Sequence, residues 1–181
     1  MSERVLSEIS IMVTGWGAVG KSAMTVRFVL DKFLTDYDPT ISDVYERDIN
    51  IGNEQYRLKI LDCAGGEDYW AFGIFALKRM NGILLVYDIT SRWTFDRLEE
   101  LLDLYCREKD VSKKDLPIVV CGNKCDLADQ RQVESSEGKA FADKYGYQFF
   151  ETSAKTGENL ENVFKATASL CVPRTGFCVI C

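Results

Sequence analysis

A glycine-rich loop that ends in a lysine and a hydroxyl residue lies near the start of the chain. Residues 15–22 read Gly-Trp-Gly-Ala-Val-Gly-Lys-Ser and fit the pattern G-x-x-x-x-G-K-[ST]. Glycines allow successive backbone N–H groups to approach a phosphate chain, and a helix that follows adds the positive end of its dipole. Lys21 supplies an ammonium group for the outer phosphates, and Ser22 supplies a hydroxyl for Mg²⁺. The loop therefore predicts a site for a nucleoside triphosphate with magnesium.

Three other polar motifs follow apolar runs of the chain. Asp62 and Gly65 enclose a short turn, where a carboxylate can hold Mg²⁺ directly or through water. Residues 123–126 read Asn-Lys-Cys-Asp, and the carboxylate of Asp126 suits the two ring donors of guanine, whereas adenine presents a different pattern. Residues 153–155 read Ser-Ala-Lys after the next predicted strand. Together these motifs favour guanine and argue against an adenine-specific kinase or ATPase.

Short apolar runs precede these motifs and predict the strands that position them. Residues 9–13, 83–87 and 118–121 are rich in branched side chains and suit parallel strands that are covered on both faces. Residues 44–51 and 56–61 alternate with polar residues and predict a hairpin. The chain therefore predicts an α/β fold with a doubly wound sheet, whose ligands bind beyond the carboxyl ends of the strands. Helical spacing between the runs places apolar residues on one face, as at Phe95, Leu98, Leu102 and Tyr105.

The composition is that of a single globular domain. The chain has 181 residues, a net charge of -6 and 46% hydrophobic residues. Recognition of nucleic acid through its phosphates needs a basic face, so the acidic balance argues against that partner. An odd number of cysteines, most of them within predicted strands or at the end of the chain, favours reduced thiols. No apolar run approaches the about twenty residues of a membrane-spanning helix.

Residues 36–41 add the most specific evidence, because they read Asp-Tyr-Asp-Pro-Thr-Ile and resemble the first switch of one protein family. With the motifs above, they make the chain resemble the small GTPases of the Ras superfamily, in the Ras and Rap branch, over about residues 5–170. The resemblance implies the P-loop NTPase fold called the G domain, with a mostly parallel six-stranded sheet and one antiparallel edge strand. Residues 1–170 would form a monomeric G domain, and residues 171–181 a short tail.

The resemblance also implies a function and the residues that act in it. The protein would be a switch that binds GTP or GDP with Mg²⁺, hydrolyses GTP, and works with effector proteins, an exchange factor and a GTPase-activating protein. Thr40 would close over Mg²⁺ and the terminal phosphate, with Ser22 and Asp62 as the other metal ligands. Gly65 would offer its N–H to the same phosphate. Lys21, Thr40 and Gly65 would thus act in hydrolysis.

At the base, the resemblance implies that Asn123, Asp126 and Ala154 read guanine. Lys124 and Lys155 would flank its ring. The residues implied to contact the nucleotide are Gly17, Ala18, Val19, Gly20, Lys21, Ser22, Ala23, Phe33, Leu34, Thr35, Tyr37, Pro39, Thr40, Gly65, Asn123, Lys124, Asp126, Ser153, Ala154 and Lys155.

One position departs from the family pattern in a way that concerns catalysis. The residue after Gly65 is usually a glutamine that orients the attacking water, but here it is Gly66, which has no side chain. A positioned group of this kind contributes about 10² to 10⁴ fold, so intrinsic hydrolysis is expected to be slow. Gly17 leaves room for an arginine from an activating protein. An alternative is a mostly GTP-loaded docking module in which hydrolysis is incidental.

Other departures concern bulky or altered side chains. Trp16 is large for a phosphate loop, and packing against a neighbouring helix is favoured over a functional role. Residues 69–75 place large apolar groups in the second switch. These side chains either pack into a rearranged core or form an exposed docking patch, and the sequence supports both alternatives equally. Ser42 replaces a frequent glutamate, so effector choice is expected to differ from that of Ras. Cys63, where threonine is usual, has no assigned role.

Residues 178–181 read Cys-Val-Ile-Cys and fit a C-a-a-X box. Prenylation of Cys178 would anchor the protein to the cytoplasmic face of a membrane, with the plasma membrane expected, while the choice of isoprenoid stays open. One lipid alone binds a membrane only marginally. Palmitoylation of Cys171 offers a second signal, but this residue also continues the apolar face of the last helix, and both alternatives stand.

Overall fold

A single mixed β-sheet organises the chain. The computed structural model describes residues 6–33, 42–63, 65 and 76–172. The strands are β1 (Ser7–Thr14), β2 (Ser42–Ile51), β3 (Glu54–Cys63), β4 (Gly82–Asp88), β5 (Ile118–Asn123) and β6 (Gln148–Thr152). Within this part of the chain they lie in the order β2-β3-β1-β4-β5-β6, with β2 antiparallel to β3 and every other neighbouring pair parallel. The predicted sheet, with one antiparallel edge strand, is confirmed.

Helices connect the parallel strands. They are α1 (Lys21–Leu30), α2 (Arg92–Asp96), α3 (Leu98–Lys109), α4 (Ser135–Tyr145) and α5 (Leu160–Ser169). Short 3-10 turns at Lys113–Asp115 and Cys125–Gln130 flank β5. Local sequence sets both ends of α4, because Glu134 and Glu137 form a capping box at its start and Gly146 ends it with φ 79°. Across the described residues, no helix is long and apolar enough to cross a bilayer.

The helices cover both faces of the sheet. A Cβ added to Gly82 in β4 would stand 3.1 Å from the carbonyl oxygen of Thr167 in α5. Tyr87, an odd number of residues further along β4, packs its ring 5.0 Å from that of Phe95 in α2. Because successive side chains of a strand point to opposite faces, α2 and α5 lie on opposite sides of the sheet. Every residue of β4 is buried, which explains its unbroken apolar sequence.

The predicted hairpin is formed by β2 and β3. Their register runs from Ser42 opposite Cys63 to Ile51 opposite Glu54, and Gly52 turns the chain with φ 60°. On its other side β3 pairs with β1, so it lies inside the sheet and its last residues are buried. The hairpin thereby brings Asp62 beside Val13, near the start of the glycine-rich loop.

The helix predicted around Phe95 is divided in the structure. α2 ends at Asp96 and α3 begins at Leu98, because Arg97 between them has non-helical angles of φ -96° and ψ 7°. At this division the carbonyl oxygen of Arg97 accepts a hydrogen bond from the indole of Trp16 at 3.3 Å. The predicted apolar face still points inward, with Phe95 partly buried and the three residues Leu98, Leu102 and Tyr105 fully buried.

Candidate functional site

The glycine-rich loop turns sharply between β1 and α1. Gly20 is the residue before α1 and has φ 93°, in the left-handed region. A Cβ at this position would also overlap Nδ2 of Asn123. Any other residue would therefore need both an unfavourable backbone and displacement of the neighbouring amide. The close approach of the loop to β5 depends on this glycine.

Lys21 directs its ammonium group back into the loop. It is the first residue of α1, and only 6% of it is exposed. Its Nζ donates to the carbonyl oxygens of Gly15 at 3.1 Å and Trp16 at 2.8 Å. Burial lowers the pKa of Lys21 to about 8, and the nearby Asp62 opposes part of this shift. A phosphate anion in the loop would favour the charged form, which suits the predicted role.

Asn123 joins three segments of the predicted nucleotide site. Its Nδ2 donates to the carbonyl oxygen of Val19 at 2.8 Å. Its Oδ1 accepts the hydroxyl of Thr152 at 3.2 Å and the backbone N–H of Ala154 at 3.3 Å. The amide is 1% exposed and so is held on both sides by protein groups. Asn123 therefore ties the phosphate loop to the predicted base-reading segments, a positioning role that the motif alone does not reveal.

The predicted base loops are also joined to each other. Ser153 donates from Oγ to Oδ1 of Asp126 at 2.6 Å and accepts the N–H of Thr156 at 3.0 Å. Asp126 is exposed, so its carboxylate remains accessible to a ligand while this hydrogen bond orients it. Lys155 is also exposed, and Phe33 after α1 is 42% exposed. The structure thus brings residues 123–126 and 153–155 together beside the phosphate loop.

Asp62 is a buried carboxylate at the end of β3. None of its surface is exposed, and among the described residues neither oxygen has a hydrogen-bond partner of ordinary geometry. Burial raises the pKa of Asp62 to about 6, although the hydroxyl of Ser22 and the ammonium group of Lys21 oppose the rise. A buried charge without such a partner is costly, and a divalent cation would compensate it.

The donors near Asp62 fit Mg²⁺. Asp62 and Ser22 offer hard oxygen atoms, and Mg²⁺ is commonly held by one or two carboxylates together with phosphates and water. The described residues contain no group of three or more acidic, cysteine or histidine side chains suited to a metal. Asp62 with Ser22 would hold the ion next to the phosphate loop.

An Asp62→Asn variant is expected to resist urea better than the original chain when nucleotide and metal are both removed. The pKa of Asp62 in the folded protein lies above its ordinary 3.8, so the charged form costs the fold about 3 kcal/mol above pH 6. This cost decreases as the pH falls below about 6 and is lost only below the ordinary pKa value of 3.8, where the carboxyl is protonated in both states. Urea unfolding at about pH 7.5 and about pH 4.5 checks the difference.

Asp48→Asn is the control for that measurement. Asp48 lies on the same hairpin but is exposed and paired with Arg57 at 3.0 Å. Its replacement is expected to leave the urea midpoint of unfolding nearly unchanged at both pH values, because exposed ion pairs contribute little to stability. Equal destabilisation by both substitutions at neutral pH would contradict the account of Asp62. With Mg²⁺ and GDP present, Asp62→Asn should instead lower stability, because the variant loses its charge for the cation.

Gly65 lies directly against the phosphate loop. A Cβ on it would stand 2.5 Å from both the carbonyl oxygen of Trp16 and the backbone nitrogen of Gly17. Only a residue without a side chain permits this approach. The start of the predicted second switch therefore reaches the loop that holds Lys21.

Several predicted residues lie outside the part of the chain that the structure describes. They include the first-switch positions, the residue that replaces the family glutamine, the aromatic segment of the second switch and the predicted lipid site, namely Leu34, Thr35, Tyr37, Pro39, Thr40, Gly66, residues 69–75 and Cys178. Their roles remain predictions from the sequence.

Trp16 packs as predicted. It is 3% exposed, and its Nε1 donates to the carbonyl oxygen of Arg97 at 3.3 Å. Its ring meets that of Trp93 in α2 edge to face at 4.9 Å, and the guanidinium group of Arg97 lies 4.9 Å from the Trp93 ring. The bulky side chain thus fastens the phosphate loop to the junction of α2 and α3.

Cys171 follows α5 and packs against the sheet. Its Sγ donates to the carbonyl oxygen of Thr167 at 3.4 Å and would stand 2.8 Å from a Cβ on Gly82. Burial raises the pKa of its thiol to about 12. A thiol with so little thiolate is a weak nucleophile. Of the two alternatives for this residue, the packing role is the one that its contacts favour.

Two residues outside the sequence motifs contact the predicted site. Thr152 donates to Asn123, and Asp88 at the end of β4 lies 2.6 Å from Nζ of Lys124. Each is the last residue of its strand, as Asn123 is, and Asp62 is the residue before the last of β3. Asp88 could have been predicted from the sequence as a polar residue at the end of a buried apolar run, because ligands in such sheets bind beyond the carboxyl ends of the strands.

Comparison with known proteins identifies one matching family model and several similar proteins. Residues 10–172 match the model of the Ras family. The chain is 42% identical over 159 residues to Ras-like protein 2 of Mucor circinelloides f. lusitanicus, covering 88% of this chain and 79% of that protein. It is 39% identical over 168 residues to Ras-like protein rasU of Dictyostelium discoideum, covering 93% of this chain and 78% of that one.

Proposed function

Because the chain belongs to the Ras family of GTPases, we propose that it is a Mg²⁺-dependent switch that hydrolyses GTP slowly. The observation that carries this proposal is the direct contact between the predicted base loops and the phosphate loop. Asn123 links the base loops to Val19 in the phosphate loop at 2.8 Å, and Ser153 fixes Asp126 at 2.6 Å. One ligand with a guanine at one end and phosphates at the other matches this arrangement.

At the phosphate end, the chain's own groups bind and orient the nucleotide. Lys21 turns its ammonium group into the loop, where it would neutralise the outer phosphates at a buried position. The N–H groups at the start of α1 add their dipole. Asp62 and Ser22 would hold Mg²⁺, which neutralises charge that develops on the phosphates. Gly65 approaches the same loop and would place its N–H near the terminal phosphate.

At the base end, Asp126 is proposed to select guanine. Its exposed carboxylate would accept the N1–H and 2-amino groups of guanine, and adenine offers no such pair of donors. An Asp126→Asn variant is expected to lose about 10² fold or more in affinity for GDP and to gain affinity for xanthosine diphosphate, whose 2-oxo group accepts from the new amide. Competition of GDP, xanthosine diphosphate and ADP against a fluorescent GDP measures this.

The matched control is Asp129→Asn, on the same 3-10 turn but outside the predicted motif. This variant should leave all three affinities unchanged. If ADP competes as well as GDP with the original chain, the assignment of a guanine site is wrong.

Signalling is proposed to follow the state of the bound nucleotide. Order in the two switch segments would depend on the terminal phosphate, so effector proteins would bind the GTP form. An exchange factor would release GDP, and a GTPase-activating protein would supply the group that Gly66 lacks. Support for these partners comes from family membership and from the sequence.

A second candidate is a docking protein that stays loaded with GTP, and Gly66 is the observation that favours it. The ratio of GTP to GDP bound to protein isolated from cells separates the two functions. A cycling switch would carry mainly GDP in unstimulated cells. A docking module would carry mainly GTP under every condition.

We also propose that prenylation of Cys178 holds the protein at the cytoplasmic face of the plasma membrane. The support is the C-a-a-X pattern of residues 178–181 behind a Ras-family domain. Replacing Cys178 with serine is expected to move the protein from the membrane fraction to the soluble fraction of cells. An unchanged distribution would remove the basis for this anchor.

A further inference from the structure

We propose that Asp88 is a positioning residue of the guanine site, which holds the ammonium group of Lys124 so that this lysine can flank the base. The inference rests on the function proposed above, in which Lys124 lies beside the guanine ring. Asp88 is the last residue of β4 and is 6% exposed. In the register of β4 and β5 it stands opposite Asn123, the residue before Lys124. Two neighbouring strand ends thus place a buried carboxylate beside the base loop.

The backbone around Asp88 is fixed by several hydrogen bonds. The N–H of Asp88 donates to the hydroxyl oxygen of Thr94 at 3.1 Å. The next residue, Ile89, donates to the carbonyl oxygen of Asn123 at 3.1 Å and accepts the N–H of Gln132 at 2.8 Å. The segment is thereby joined to β5 and to the chain before α4. A carboxylate on such a segment has little freedom to move.

Both oxygens of the Asp88 carboxylate have partners. Oδ1 accepts the N–H of Thr90 at 2.8 Å and the hydroxyl of Thr90 at 2.7 Å. Oδ2 lies 2.6 Å from Nζ of Lys124. The two bonds from Thr90 set the orientation of the carboxylate, so its second oxygen presents a fixed acceptor to the lysine. Because Asp88 is buried, solvent screens its pair with Lys124 less than it screens a fully exposed pair.

Lys124 gains from being held at its far end. Its backbone has φ 69°, in the left-handed region, and its side chain is 31% exposed. A free lysine side chain populates many rotamers, and it loses this conformational entropy when its methylene groups must lie along the planar ring of the ligand. Fixing the ammonium group before the ligand arrives reduces that loss. Asp88 therefore contributes to nucleotide affinity through Lys124, without a contact to the nucleotide itself.

Release of GDP in the presence of Mg²⁺ tests this role. Asp88→Asn keeps an acceptor for Thr90 but removes the charge that faces Lys124. We expect dissociation of N-methylanthraniloyl-GDP to become about 10 fold faster. The preference for GDP over inosine diphosphate should stay unchanged, because Asp126 reads the 2-amino group and is not displaced. A general distortion of the base loop would change that preference.

A double-mutant cycle separates positioning from a structural role. In a Lys124→Met background, Asp88→Asn should alter the dissociation rate by less than about twofold, because the group it positions is gone. Multiplicative effects of the two substitutions would overturn the proposal. Asp103→Asn is the control, since Asp103 pairs with Lys113 at 2.7 Å and neither belongs to the predicted site. This change should leave GDP release unaltered.

The outcomes also distinguish this inference from the proposed function. If the original chain does not bind GDP, the proposed function fails. If it binds GDP and Asp88→Asn releases it at the original rate, only the inference about Asp88 fails. Asp88→Ser also keeps a group that can bond to Thr90, and it provides the same comparison should the asparagine variant not fold.

Discussion

Replacing Lys21 with methionine is expected to lower the affinity for GDP and GTP by about 10² to 10⁴ fold. Each hydrogen bond from a charged donor contributes about 1.5–3 kcal/mol, and Lys21 would make more than one to the phosphates. It also donates to the carbonyl oxygens of Gly15 and Trp16, which shape the loop. Methionine has a similar length, so the substitution removes the charge with little loss of packing. Isothermal titration with each nucleotide measures the change.

Lys165→Met is the matched control for this prediction. Lys165 lies on α5 in an exposed pair with Glu161 at 3.1 Å, and its loss should leave nucleotide affinity within about twofold. Without nucleotide, Lys21→Met should be at least as stable as the original chain at neutral pH. The reason is that burial lowers the pKa of Lys21 to about 8, so the fold disfavours the ammonium form relative to the unfolded chain. Retained affinity in the methionine variant would contradict the assignment of the phosphate site.

Replacing Gly66 with glutamine is expected to raise the rate of GTP hydrolysis by about 10² fold. A side-chain amide at this position would orient the attacking water, and positioned groups of this kind contribute about 10² to 10⁴ fold. The effect should be confined to the chemical step, so the affinity for GTP should not change. Single-turnover hydrolysis of prebound GTP, without an activating protein, measures the rate directly.

Gly66→Ala is the informative control, because it restricts the backbone without supplying an amide. It should hydrolyse GTP at the original rate. If glutamine, alanine and glycine all give the same rate, Gly66 is not the cause of slow hydrolysis. An activating protein that accelerates the original chain but not Gly66→Gln would indicate that the partner supplies the same function as the missing side chain.

Most of the sheet could be predicted because its signals are local. The apolar runs that became β1, β4 and β5 are buried on both faces, and alternation together with Gly52 marked the hairpin of β2 and β3. The division between α2 and α3 could not be predicted in the same way. The contact made at this division, a hydrogen bond from Nε1 of Trp16 to the carbonyl oxygen of Arg97, joins residues far apart in sequence, and no periodicity within the helix indicates it.

In the candidate site too, contacts between residues that are distant in sequence could not be predicted from local patterns. Contiguous motifs with a known chemistry identified Lys21, Asp62 and Asp126, because each motif carries its own geometry. The contact between Asp88 and Lys124 depends on the register of β4 against β5, which brings residues from two separate segments together. The sequence predicted that Asn123 belongs to the base loop. Its bond to Val19 became visible only when the two loops were placed side by side.

The bond from Asn123 to Val19 has a consequence for the kinetics of nucleotide release. It couples the predicted guanine end of the site to the predicted phosphate end, because Asn123 cannot move with the base loop without breaking its bond to the carbonyl of Val19. A nucleotide bound at both ends is therefore expected to dissociate faster when either loop is displaced. A partner protein can therefore promote release of the whole nucleotide by displacing either loop, and it can contact whichever of the two loops is more accessible.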